Sequence, residues 1–208
     1  MNFPLAVTQV TSCWSCKGPV ATRALFCPVC EAVQGPGSCD HFSRLGLPVA
    51  YALDVPKMEQ QYFVLQRKLH PDRFGAKSAK EKALSQQQAT QLNDAYETLK
   101  DPLKRAAYLL GLLGQKVDLH GSVTITDPIL LMEQMERREA IAEATTREAI
   151  EALIARAESD VLQCQEDMAD AFARSDLSRA ADLAIRLKYF TKMVEDARQR
   201  KVRLTRTA

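Results

Sequence analysis

No apolar run in these 208 residues approaches the roughly 20 that a membrane-spanning helix needs, so no membrane partner is expected. Aromatics make up only 6% of the chain, and glycine is scarce at eight residues. Ala, Leu, Glu, Gln, Lys and Arg dominate from Val55 onward, a composition that favours helices. Neither an internal repeat nor a low-complexity tract is present. Net charge is small as well. The formal +2 argues against non-specific nucleic-acid binding as the main activity. Met1–Val10 has no basic, apolar signal pattern, and no long Arg/Ser-rich segment precedes Cys13. The expectation is a reducing, cytoplasmic setting of bacterial type, or the mitochondrial matrix if the source is eukaryotic.

What charge there is lies unevenly. From Phe42 to Gly114 there are eleven Lys/Arg against seven Asp/Glu, whereas from Asp127 to Ala208 there are fourteen against sixteen. A basic middle and an acidic end suit two different partners.

Four of the six cysteines fall in Cys13-Trp-Ser-Cys16 and Cys27-Pro-Val-Cys30. Each pair is a tight turn that aims two sulfurs at one point, and the intervening segment has room for a short hairpin. Such spacing predicts one tetrahedral zinc held by Cys13, Cys16, Cys27 and Cys30. Zinc would supply the folding free energy that so short a segment cannot draw from a core. Four protein ligands leave no position for substrate water, so the site reads as structural. Paired disulfides or a redox dithiol are the alternative. A reducing compartment and the lack of any βαβ pattern count against them. Cys164 lies on an apolar helical stripe and reads as core, and Cys39 as a linker residue.

Gln34-Gly35-Pro36-Gly37 marks one boundary, and the stretch Gly114–Asp127 marks another. The Asp127-Pro128 step is a helix-start signal. Between and beyond these boundaries apolar residues recur at three- and four-residue steps. One stripe is Met58, Tyr62, Leu65 and Leu69. A second is Leu84, Leu92, Tyr96 and Leu99, interrupted by Gln88, and a third is Leu103, Ala107 and Leu110. Two longer stripes run from Ile150 through Cys164 to Phe172, and from Leu183 to Ala197. Each stripe buries one face of a helix. An all-α chain behind a small metal knuckle is the expected fold.

His70-Pro71-Asp72 follows a basic, amphipathic helix. Pro71 lacks a backbone donor and disfavours helix at His70, so the helix should end there and present an imidazole and a carboxylate on an exposed turn. No nucleophile or second carboxylate accompanies them, which leaves hydrolysis unsupported. A carboxylate fixed on a loop is suited to pairing with an arginine on a partner. The plain alternative is an accidental helix terminator.

These residues resemble the J-domain family. Asp40–Pro48 is similar to the first J helix and its turn, and Tyr62–Leu69 to the second, with Gln66-Arg67-Lys68 as the basic face. Asn93–Leu99 is similar to the third helix and Asp101–Tyr108 to the fourth. The resemblance implies that His70, Pro71 and Asp72 engage the ATPase domain of a DnaK/HscA-type chaperone, while Arg67 and Lys68 meet an acidic patch on it.

From Asp127 onward the chain resembles the C-terminal three-helix domain of the HscB-type iron–sulfur co-chaperones, most closely in Leu131–Glu136, Arg138-Glu139 and Arg186–Phe190. The leading tetracysteine knuckle is found in some members of that family. The implied organisation is a knuckle and linker over 1–38, a four-helix J domain with its helical hairpin over 39–114, a linker over 115–126, and a three-helix bundle over 127–208. At about 100° per residue, Leu131, Met132, Met135, Glu136, Glu139 and Glu143 share one arc of a helix, with Leu130 and Ile141 pointing inward. By resemblance that arc, joined by Tyr189, binds the scaffold protein IscU; by periodicity alone it could equally be core. The implied function is that of a co-chaperone in iron–sulfur cluster assembly and not of an enzyme: it activates the partner's ATPase and brings IscU to it. The alternative is a general J protein for unfolded clients. That role would need a broad apolar groove, whereas only a small apolar-acidic patch is offered.

Overall fold

The computed structural model describes residues 10–117 and 128–207, with 128–130 and 206–207 described by backbone alone. The expected helix start at Asp127, His120, most of the 115–126 linker and the side chain of Leu130 lie outside the described residues. Two compact units form, Met1–Val49 with Leu53–Asp101, and Ala50–Ala52 with Pro102–Ala208.

In the first unit, strands β1 (Val10–Ser12) and β2 (Pro19–Ala21) pair antiparallel, Thr11 opposite Val20. The hairpin therefore closes around the first Cys-x-x-Cys turn instead of filling the segment between the two turns. A single bridge between Phe26 and Val33 closes around the second turn in the same way. Helix α1 (His41–Arg44) begins at Asp40, whose carboxylate accepts from the Ser43 N–H. It stops at Gly46, where φ is +67°, a conformation that glycine adopts without strain. Helix α2 (Val55–Leu69) is capped by Asp54, and a 3₁₀ turn over Pro71–Phe74 follows. Helix α3 (Ala79–Lys100) opens with a capping box, Ser78 and Glu81 each bonding the other's backbone N–H.

The α2–α3 pair is held by more than its apolar stripe. The rings of Tyr62 and Tyr96 stack at 3.9 Å, and each hydroxyl is engaged, Tyr62 with Asn93 at 2.9 Å and Tyr96 with Glu59 at 2.9 Å. Lys100 completes the set, 3.2 Å from Glu59. The Tyr96 hydroxyl and Lys100 hold the Glu59 carboxyl below the usual carboxylate range.

The second unit contains α4 (Pro102–Leu112), α5 (Pro128–Glu143), α6 (Arg147–Ala173) and α7 (Leu177–Thr207). A three-residue turn with Ser175 at φ +59° joins α6 to α7, an αα-hairpin. Its seam is the expected pair of stripes: Ile150, Ala157, Cys164 and Met168 face Leu183, Leu187, Phe190, Val194 and Ala197, all buried. Helix α4 turns a different face inward from the expected Leu103–Ala107–Leu110 row. Arg105, Ala106, Leu109 and Leu110 are the buried ones, and the Arg105 guanidinium lies 4.9 Å from the Tyr51 ring. Among the described residues no helix is long and apolar enough to cross a membrane. The fold is all-α, and among the described residues the two short strands lie in the knuckle.

Candidate functional site

The two Cys-x-x-Cys turns are near copies of each other. Cys13 donates its N–H to Gly18 and accepts at its carbonyl from Lys17; Cys27 does the same with Ala32 and Glu31. Lys17 and Glu31 both sit in the left-handed region, at φ 65° and 59°. Backbone N–H groups of Ser15, Gly18 and Val29 point at the sulfurs of Cys13, Cys16 and Cys27 within 3.3–3.4 Å.

Cys13 Sγ stands 3.8 Å from Cys30 Sγ, and Cys16 Sγ 3.6 Å from Cys27 Sγ, with all four sulfurs within 4.8 Å. Four sulfurs each about 2.3 Å from one tetrahedral ion would stand about 3.8 Å apart. Burial pushes the Cys13 thiol up. The N–H groups of Cys16 and Ser15 and the sulfurs of Cys27 and Cys30 outweigh it, and the thiol falls to about 6. Cys16 is raised to about 12: the Gly18 N–H lowers it, but Cys30, burial, Cys27 and Cys13 prevail. Ionising one thiol opposes ionising the next, a conflict that a cation at the centre removes. The donor set fits a metal ion. Cys39 and Cys164 stay outside it, Cys164 buried as expected.

The His-Pro-Asp turn is exposed yet anchored on both sides. Leu69 before it is fully buried and Phe74 after it is 7% exposed. Ser85, buried on α3, donates its hydroxyl to the Leu69 carbonyl at 2.7 Å. His70 Nδ1 accepts from the Asp72 N–H at 3.3 Å. The Asp72 carboxylate lies 3.4 Å from the same ring and is 89% exposed. Arg67 and Lys68, in the last turn of α2, are exposed too, and Arg73 donates to the Arg67 carbonyl at 3.3 Å.

On α5 the inward side carries Gln134, Ile141 and Ala144 at its end, all buried. Arg137 pairs with Asp160 and lies 5.3 Å from the Phe190 ring. The outward side leaves Leu131, Met132 and Met135 at 46%, 63% and 65% exposure, with Glu136, Glu139 and Glu143 exposed beside them. Those apolar side chains are not core. Tyr189 is half-buried on the turn of α7 that meets α5, between Arg186, 3.9 Å from Glu133, and Phe190.

Two family profiles match this arrangement: the DnaJ domain over residues 40–108 and the HSCB C-terminal oligomerisation domain over 126–198. The human iron-sulfur cluster co-chaperone protein HscB is 32% identical over 196 residues, covering 92% of this chain and 83% of its own. The chain belongs to the HscB family. The HscB homologue of Vibrio cholerae, a co-chaperone, is 37% identical over 158 residues, covering 74% of this chain and 92% of its own. The crystal structure of human HscB superposes with a TM-score of 0.84 at 32% identity, covering 92% of this chain and 98% of that one. Chaperone HscB from V. cholerae gives 0.70 at 34% identity, over 77% and 96%. The His-Pro-Asp turn falls within the DnaJ match, and the exposed α5 face and Tyr189 fall within the HscB-specific one.

Sequence reasoning read Gln34 only as part of a boundary turn and Gln88 only as an interruption of an apolar row, and gave Ser85 no role; all three are buried and hydrogen-bonded. Their signal was available: Ser85 and Gln88 sit on the inward face of α3, where polar residues interrupt the apolar row.

Proposed function

We propose that this chain is a J-domain co-chaperone that stimulates the ATPase of a DnaK/HscA-type chaperone and brings it an IscU-type scaffold during iron–sulfur cluster assembly. The observation that carries this reading is the His70-Pro71-Asp72 turn, exposed at its tip and fixed at both ends by Leu69, Ser85 and Phe74. A carboxylate held so rigidly forms a directional pair with a partner arginine at little entropic cost. Arg67 and Lys68 supply long-range attraction to an acidic surface.

The α5 face is the scaffold surface in this reading. Leu131, Met132 and Met135 offer apolar contact, Glu136, Glu139 and Glu143 complement a basic partner, and Tyr189 adds an aromatic edge. The naming of HscB relatives as iron–sulfur cluster co-chaperones supports it. Zinc is the ion we assign to Cys13, Cys16, Cys27 and Cys30, where it would act as a closed structural centre. The chain performs no chemistry of its own, and its place is the bacterial cytoplasm or the mitochondrial matrix.

The test is steady-state ATP hydrolysis by a purified DnaK-type chaperone, with the chain alone and with the scaffold added. Asp72→Asn or His70→Gln should abolish stimulation while leaving the melting temperature within a degree or two, since both side chains are exposed. Wild-type stimulation by either variant would refute the mechanism. Equal synergy with an unfolded polypeptide in place of the scaffold would favour the general co-chaperone.

A further inference from the structure

We infer that the metal knuckle sets the position of the His-Pro-Asp turn, with Gln34 and Gln88 as the positioning residues that carry its hold onto α3. The inference rests on the proposed role of that turn.

Gln34 is 8% and Gln88 2% exposed, so their amides must find partners inside the protein. The Gln34 amide donates to the Cys13 sulfur at 3.4 Å and to the Ala32 carbonyl at 2.7 Å. Its backbone carbonyl accepts from Gln88 Nε2 at 3.0 Å. Gln88 Oε1 in turn accepts from Arg44 at 3.4 Å, and Arg44 returns to the knuckle linker through the Gly37 carbonyl at 3.2 Å. A closed chain of hydrogen bonds thus links a metal ligand to α3 and α1.

The knuckle touches α3 on three successive turns. Lys80 lies over the Trp14 ring at 4.5 Å, and Trp14 donates to the Val33 carbonyl at 2.8 Å. Gly35 lies against Leu84, whose side chain would stand in ordinary contact, 3.5 Å, from a Cβ at that position. Gln88 is the third contact. Ser85, three residues before Gln88 and about 4.5 Å along the helix axis, holds the carbonyl of the residue that precedes His70. One short stretch of α3 therefore receives the knuckle and grips the turn.

The knuckle's own core is small. Its buried cluster is Cys13, Val20 and Cys27 with Ala24 beside them, two of the four being metal ligands. Withdrawing an ion from the four thiolates would release Cys13 and the segment after Val33 that carries Gln34.

Amide hydrogen exchange on the full-length chain tests this directly. Compare metal-loaded wild type, chelator-stripped wild type, and metal-loaded Gln88→Leu. Residues 67–75 should exchange tenfold or more faster in both perturbed forms. Stripping Gln88→Leu should add little further, because both changes cut one relay. In chaperone ATPase assays the co-chaperone concentration giving half-maximal stimulation should rise about fivefold or more, with the saturating rate retained. If stripping speeds exchange only within residues 10–38 and leaves 67–75 unchanged, the inference is overturned. Should Gln88→Leu fail to fold, the stripped wild type decides by the same criterion. An inert Asp72→Asn would refute the role of the turn in the chaperone cycle without altering this exchange result.

Discussion

The tetracysteine knuckle and the α6–α7 hairpin solve the same problem by opposite means. The hairpin buries two continuous stripes, Ile150 to Met168 against Leu183 to Ala197, and area removed from water stabilises it. The buried apolar side chains of residues 10–38 are Cys13, Val20, Cys27, Ala32 and Val33, with Ala24 partly buried beside them, too few to offset the entropy of ordering that segment. Amide-to-sulfur contacts order it, and thiolate–metal bonds would supply the rest once an ion occupies the four cysteines. Stability in the hairpin is therefore spread over many side chains, whereas in the knuckle it is concentrated in four.

The largest effect should follow from removing a ligand. Cys27→Ser should lose the metal, whose binding in comparable small sites is worth about 10–16 kcal/mol. Order over residues 10–38 should collapse while far-ultraviolet circular dichroism stays mostly helical. Elemental analysis reads the first part, and failure to find about one zinc per chain in wild type would break the comparison at its base.

Next comes the hairpin core. Leu187→Ala should cost about 2–5 kcal/mol in denaturant unfolding, with metal content untouched. A third change separates buried from exposed apolar groups on one unit. Leu131→Ala with Met135→Ala should alter unfolding by no more than about 0.5 kcal/mol yet weaken scaffold binding by about 2 kcal/mol or more in titration calorimetry. Adding Tyr189→Ala should deepen that loss and cost some stability, since Tyr189 is half-buried. Charge reversal at Glu136 and Glu139 should weaken binding with a changed salt dependence.

The smallest effect concerns the cap of α1. Burial raises the Asp40 carboxyl, but hydrogen bonds from the Ser43 side chain and backbone outweigh it and lower its pKa. A depressed folded-state value means the contribution is complete above the unfolded value near about 3.9 and lost as pH falls through the folded one. Asp40→Ala should cost about 1 kcal/mol at neutral pH. The gap in melting temperature between wild type and variant should narrow only below about pH 4.

Much of this was legible in the sequence because the signals were redundant. Cys13, Cys16, Cys27 and Cys30 announce their centre by spacing, and Pro71 dictates where α2 must end. The long stripes of α6 and α7 leave no choice of face. In α4 the choice was open: Leu103, Ala106, Ala107, Leu109 and Leu110 surround the helix, so period alone could not say that Ala106 and Leu109 turn inward with Arg105. The positioning roles of Gln34, Ser85 and Gln88 were not legible for a different reason. A polar side chain reads as surface unless its partner is known, and each partner here is a distant backbone carbonyl or sulfur.

Trp14 is the only tryptophan in the chain, and it lies inside the knuckle with its indole N–H bonded to Val33 and its ring under Lys80. Intrinsic emission excited at the indole band consequently reports the smallest structural element alone. Helical signal in the far ultraviolet reports almost everything else. The protein thus carries two optical channels that divide along its own architectural boundary, so that loosening of the knuckle can be followed in real time beneath an unchanged helical background.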